Sequence, residues 1–269
     1  MDKRSTGRQA GTDPVRSYCP MSARLRSVSA LALALVLVAA TPMAATARRP
    51  APGPSGPLTV SFAGETWTVK DHNRKIGPGP NFFSASNVTV VNEKLQLEIN
   101  QAGRQWTVAE VIMQGSPGYG TYTWVIETPI ALDPNVVLGL FTWHDDPAYN
   151  HREIDIEFAK WGNGSAPTNA QYVVQPYDAQ GHQYRWAQAS ALTRTTHSFT
   201  WRPDSVEFRS TASDGSLIES WLYDGQGIPV PGGENPRINL WLFRGAAPTD
   251  GQPVRVVIES FTHSSLAGS

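Results

Sequence analysis

The chain has 269 residues, of which 40% are hydrophobic and 17% charged, and its formal net charge at pH 7 is −1. That balance lacks the excess of Lys and Arg that nucleic-acid binding requires. Its single cysteine, Cys19, excludes a small fold stapled by disulfides.

Residues 1–20 are polar and irregular. Met21 then opens a segment in which Arg24 and Arg26 precede an unbroken apolar run, Val28 to Ala40, followed by Ala45-Thr46-Ala47. Basic residues, an apolar stretch and a small-x-small site in that order predict a secretory leader over residues 1–47, with Met21 as the true start. The run is shorter than the roughly 18 apolar residues of a membrane span. No twin arginine precedes it, so the general secretory route is expected, and Cys19 lies on the wrong side of the run to carry a lipid. Leader removal leaves 16 basic against 21 acidic residues, a net charge of about −5. The mature protein is therefore expected outside the cell, as a monomer that binds neither membrane nor nucleic acid. Residues 48–58 form a Pro/Gly-rich lead-in, and residues 59–263 are long enough for one domain with a sizeable core.

After residue 47 no amphipathic helical pattern appears. Short alternating segments bounded by Gly, Pro, Asn and Asp recur instead, which predicts an all-β sandwich of two antiparallel sheets. Thirteen strands are expected: 66–70, 88–91, 95–99, 107–113, 120–127, 136–143, 152–158, 171–175, 197–202, 205–210, 218–222, 237–243 and 254–261. Asn92-Glu93-Lys94 and Asp214-Gly215 read as hairpin turns. One sheet of such a sandwich offers a concave face on which a chain-like ligand fits. Trp143, Trp161, Trp186 and Trp241 are candidates to stack on sugar rings, the other reading being that they fill the core.

The chemistry concentrates in Glu153-Ile154-Asp155-Ile156-Glu157. On a strand the three acids share one face, and Arg152, Ile154, Ile156 and Phe158 share the other. Three adjacent acids repel and gain nothing for folding, so a function that needs carboxyl groups in different protonation states is the natural reading. Taken alone, these residues also fit an acidic solvent-facing strand or a cation site. A straight strand supplies few of the six or more oxygens of a Ca²⁺ site. His144-Asp145-Asp146 and His182 read as loop residues rather than a metal cluster. No phosphate loop, Gly-x-Ser-x-Gly elbow or zinc-spaced histidine pair is present.

With its surroundings, the run resembles the signature of glycoside hydrolase family 16, E-[ILV]-D-x-E. Further similar elements are Gly118-Tyr119-Gly120-Thr121-Tyr122, Leu140-Phe141-Thr142-Trp143, His197-Ser198-Phe199-Thr200-Trp201 and Ile238-Asn239-Leu240-Trp241, in the family's order. The resemblance implies a jelly roll with a concave cleft and an endo-acting, retaining hydrolase of a β-linked polysaccharide, most directly a β-1,3-1,4- or β-1,3-glucan. It assigns Glu153 as nucleophile, Glu157 as acid/base and Asp155 as the assisting carboxyl. Trp143, Trp161, Gln171, Gln175 and Trp241 would bind substrate, without a catalytic metal or cofactor; a structural Ca²⁺ is not readable from the sequence. The signature has a single residue between Asp155 and Glu157, as in lichenases and certain transglycosylases. His151-Arg152 before it and Ala170 to Pro176 after it depart from the lichenase pattern. A transglycosylase with the same site and a non-catalytic sugar-binding jelly roll are the alternatives.

Overall fold

The computed structural model describes residues 56–266. The leader falls outside these residues, as does most of the lead-in. Sixteen strands are described, in chain order: β1 Thr59–Phe62, β2 Glu65–Val69, β3 Phe82–Phe83, β4 Val88–Val91, β5 Lys94–Ala102, β6 Gln105–Met113, β7 Gly120–Ile126, β8 Val136–Trp143, β9 Ile154–Ala159, β10 Ala170–Val174, β11 Gln183–Trp186, β12 Thr195–Trp201, β13 Val206–Ala212, β14 Leu217–Tyr223, β15 Asn235–Leu242 and β16 Val254–Ser265. Pairing follows the order β11-β10-β9-β8-β15-β6-β5-β16-β7-β12-β13-β14, with β1–β2 added on β6. The path bends back on itself at the β5–β6 hairpin, where only Asn100–Ala102 pairs with Gln105–Thr107. The result is a large antiparallel sheet curved nearly into a barrel, all-β as the alternation predicts and consistent with the jelly roll that the resemblance implies.

Two facing layers enclose the core. One contributes Leu138, Leu140, Ile154, Ile156, Phe158, Tyr172 and Ile238, the other Leu97, Tyr122, Trp124, Phe199, Phe208 and Ile258, all fully buried. Burying each of these side chains contributes about 1.5–3 kcal/mol. His197 is buried in the same core. Its ring bonds to Ser210 Oγ (2.7 Å) and Thr195 Oγ1 (2.8 Å), while Tyr172 Oη reaches the same Ser210 Oγ at 2.6 Å. Burial pushes the imidazole down to about 3, so it stays neutral. Trp186 belongs here too, with its ring 4.2 Å from that of Tyr172. It is a core residue, not a sugar platform.

Each of the thirteen expected strands has a counterpart. The three additional ones are β1, the two-residue β3 and the edge strand β11. Arg152 is not in a strand: β9 begins at Ile154, because Tyr149, Asn150, His151 and Arg152 all have positive φ (52°, 51°, 63° and 54°). Asn92 (φ 51°) and Glu93 (φ 64°) form the left-handed pair expected of a two-residue hairpin loop between β4 and β5.

Candidate active site

Cross-strand register sets out the concave face of β10, β9, β8, β15 and β6 as three rows. The first runs Gln171, Glu157, Gly139, Asn239, Glu110, and the second Val173, Asp155, Phe141, Arg237, Ile112. The third holds Glu153 and Trp143, with Gln175 N donating to Glu153 O at 3.2 Å. A cleft of about 490 Å³ lies over these rows, its lining including Glu153, Asp155, Glu157, Arg237, Asn239 and Trp241. Gly139 keeps the floor open. A Cβ there would lie 2.5 Å from Asn239 Oδ1, so no other residue fits between Glu157 and Asn239 without displacing the amide.

Glu153 is positioned by the turn before β9. Four successive non-glycine residues in the left-handed region are costly, and the surroundings hold each in place. Arg152 Nε donates to Val230 O (3.0 Å), Thr142 Oγ1 donates to Arg152 O (2.8 Å), and His144 N donates to His151 O (2.8 Å). Gly232 packs against the Arg152 guanidinium so closely that a Cβ would come within 2.4 Å of Nε. Buried Glu234 fixes that glycine by accepting from Gly232 N at 2.7 Å.

Each carboxyl beyond the turn has a dedicated amide. Gln171 Nε2 donates to Glu157 Oε2 at 2.7 Å, and Trp161 Nε1 donates to Gln171 Oε1 at 3.3 Å. Gln175 Nε2 donates to Asp155 Oδ2 at 3.0 Å, and its Oε1 accepts from Tyr177 N at 2.8 Å. The structure therefore places Gln171 and Gln175 as supports of the acids, with the amide oxygens already engaged by the protein. Trp143 stacks in parallel on His151 (4.1 Å, 7°), has the Arg237 guanidinium 6.0 Å from its centroid, and donates its indole N–H to Asp145 Oδ1 at 3.0 Å. Trp241 lines the cleft and meets Trp161 edge-on at 6.2 Å.

Sequence reasoning passed over the opposite wall. Glu110, only 1% exposed, receives Lys70 Nζ at 2.8 Å and Arg237 Nη1 at 3.5 Å. This ion cluster joins the residue after β2 to β6 and β15, and all three members line the cleft. Its available signal was an acid inside the otherwise apolar strand 107–113. His144, Asp145 and Asp146 serve the adjoining loop, where Asp146 N donates to His144 Nδ1 at 3.1 Å. Among the described residues no three His, Cys, Asp or Glu side chains gather as a metal-binding group.

Burial raises all three carboxyls on this face. Glu153 is pushed up to about 8, first by loss of water and then by the Glu157 charge, against a lowering hydrogen bond from Asp155. Asp155 is raised well above the carboxylate range by burial and then by the charges of Glu153 and Glu157. Glu157 is pushed up to about 7 by burial, opposed by the Gln171 hydrogen bond and by Arg185. A side-chain hydrogen bond between Asp155 and Glu153 raises the former and lowers the latter, which favours the proton on Asp155, the more buried of the two. Glu157, facing the cleft two residues on, is an acid poised near neutrality.

This fold recurs in solved structures. A prokaryotic β-1,3-1,4-glucanase (lichenase) from a mouse hindgut metagenome matches with a TM-score of 0.58 at 22% identity, over 77% of this chain and 96% of that one. The GH16 protein of a Bacteroides ovatus mixed-linkage glucan PUL, in complex with G4G4G3G product, matches with a TM-score of 0.58 at 15% identity, over 74% and 94%. The chain has the jelly-roll fold of glycoside hydrolase family 16. Rv0315, described as an immunostimulatory antigen and pseudo β-1,3-glucanase of Mycobacterium tuberculosis, matches with a TM-score of 0.55 at 23% identity, over 73% and 89%. No protein-family model and no curated protein matches the chain.

Proposed function

We propose that the chain is a secreted, endo-acting, retaining glycoside hydrolase of a β-linked glucan, either β-1,3-1,4 or β-1,3, acting without a cofactor. The observation that carries this reading is the placement of Glu153, immediately before β9, and Glu157, within it, on one face and on either side of Asp155, on the floor of an open cleft. Their Cα atoms are roughly 13 Å apart by strand geometry. Glutamates leaning inward from that spacing reach the ~5–5.5 Å carboxyl separation of double displacement.

In the first step the Glu153 carboxylate attacks the anomeric carbon while Glu157 gives its proton to the departing glycosidic oxygen. The C–O bond breaks and a glycosyl ester forms on Glu153. Water then enters, Glu157 takes its proton, and the water oxygen displaces Glu153 from the anomeric carbon. Two inversions leave the configuration retained. Asp155 holds its proton throughout and steadies the Glu153 anion, the leaving group of the second step. The names of the fold neighbours support the glucan class, and the buried, individually bonded acids favour catalysis over passive sugar binding.

Purified protein incubated with lichenan, laminarin, xyloglucan, agarose and chitin oligosaccharides tests the proposal. Oligosaccharides of mixed length from lichenan or laminarin are expected, seen by mass analysis of products. Cleavage of none of the five would overturn the hydrolase reading, and products longer than the starting oligosaccharide would replace it with transglycosylation.

The leader is part of the same proposal. N-terminal sequencing of secreted material is expected to begin near Arg48, and a mature protein that keeps Val28–Ala40 would refute it.

A further inference from the structure

A second concavity lies beyond the segment 77–81, whose Gly77 and Pro78 line the cleft and whose Pro80 and Asn81 line this groove of about 640 Å³. The segment lies tight on β15. A Cβ on Gly79 would come within 2.8 Å of Asn81 Nδ2 and 3.1 Å of Leu242 O, and Asn81 Nδ2 donates to Leu242 O at 2.9 Å. The wall between the two sites is therefore a fixed one.

The groove inverts the chemistry of the cleft. Five carboxylates line the cleft, Glu110, Asp145, Glu153, Asp155 and Glu157, whereas the groove has none and carries Lys75 and Arg104. Both cations are exposed and neither has a carboxylate partner; Lys75 Nζ lies 5.8 Å from the Phe82 ring. Arg244, exposed beside the lining residue Gly245, likewise has only an aromatic neighbour, Phe243, at 5.0 Å. Half-buried Trp106 and Phe82 complete the lining with Gln105.

Unpaired Lys75 near the Phe82 ring and unpaired Arg104 beside half-buried Trp106, with no acid in the lining, suit a ligand that has both apolar ring faces and negative charge. We propose that this groove binds an acidic polysaccharide, its uronate carboxylates pairing with Lys75 and Arg104 and its sugar rings lying against Trp106 and Phe82. A cationic ligand is excluded by the charge, and a neutral glycan makes no use of it. Two or three cations fall short of the roughly six to ten phosphate contacts of strong nucleic-acid binding, on a chain whose overall charge repels polyanions elsewhere.

Affinity electrophoresis of the Glu153→Ala protein tests this without interference from turnover, in gels containing polygalacturonate, dextran sulfate or neutral dextran, with single-stranded DNA in a parallel mobility shift. Retardation by polygalacturonate and none by neutral dextran is expected, fading at roughly 0.5 M salt as charges are screened. Lys75→Gln with Arg104→Gln is expected to weaken it about tenfold, as is Trp106→Ala, a loss on the scale of removed charged pairs or a stacking face. The exposed double substitution is expected to leave the fold intact and, introduced into the protein that retains Glu153, to leave glucan hydrolysis unchanged. Equal retardation of parent and double variant would overturn the inference. So would equal retardation by neutral dextran, or binding of dextran sulfate or DNA without binding of polygalacturonate. Polygalacturonate binding together with no glucan cleavage by the protein that retains Glu153 would sink the hydrolase reading alone.

Discussion

Glu153→Ala is expected to lower glucan hydrolysis by roughly four orders of magnitude, because no other group can form the covalent intermediate. Azide should restore turnover of an activated aryl glycoside with inverted product, since the anion enters from the face that Glu153 vacates. Glu157→Ala should behave differently. A leaving group that needs no proton still departs to form the glycosyl ester, and azide then attacks from the opposite face to give retained product. Anomeric NMR of the two azides decides between the roles, and the reverse pattern would exchange the assignments. Stability supplies a second readout. Burial raises the folded pKa of Glu157 to about 7, above its unfolded value, so the penalty is absent at low pH and grows as pH climbs between the two. Glu157→Gln is therefore expected to stabilise the protein by about 3 kcal/mol at pH 8 and by little at pH 4. Equal stabilisation at both values would show that the carboxyl is not strained by burial.

The parts of this site that were legible in the sequence are those written in a period of two. Ile154, Ile156 and Phe158 enter the core and the acids between them face the cleft, as the alternation requires. What alternation does not carry was missed. The strand β11 is Gln183–Trp186, an edge with a polar pattern, and β3 is two residues long. The turn at 149–152 has no glycine to announce its left-handed backbone; bonds from 142 and 144 at the end of β8, and from 230, distant in sequence, hold it. The resemblance points Gln171 and Gln175 at substrate, but a sequence cannot show that their amides are engaged by Glu157 and Asp155. The Lys70–Glu110–Arg237 cluster joins segments far apart in sequence: the pairing of β2 on β6 brings in Lys70, whose N donates to Glu110 O at 3.0 Å, and the register of β15 on β6 brings in Arg237.

Gln171→Leu is expected to move the alkaline limb of the kcat profile upward from about pH 7. The amide of Gln171 donates to the Glu157 carboxylate at 2.7 Å and so favours its ionised form. Removing the donor leaves burial unopposed except by Arg185, the pKa of Glu157 rises, and the acid stays protonated to higher pH. The same change frees the side chain from its fixed direction, and kcat at the optimum is expected to fall about ten- to a hundredfold with KM little altered. Trp161→Phe tests the link behind it. Without the indole N–H on Gln171 Oε1 the amide loses its anchor, so the limb should shift in the same direction by a smaller amount. A purely structural role for either residue would lower activity at every pH in proportion, without moving the limb. That outcome would separate Gln171 from the proton chemistry of Glu157.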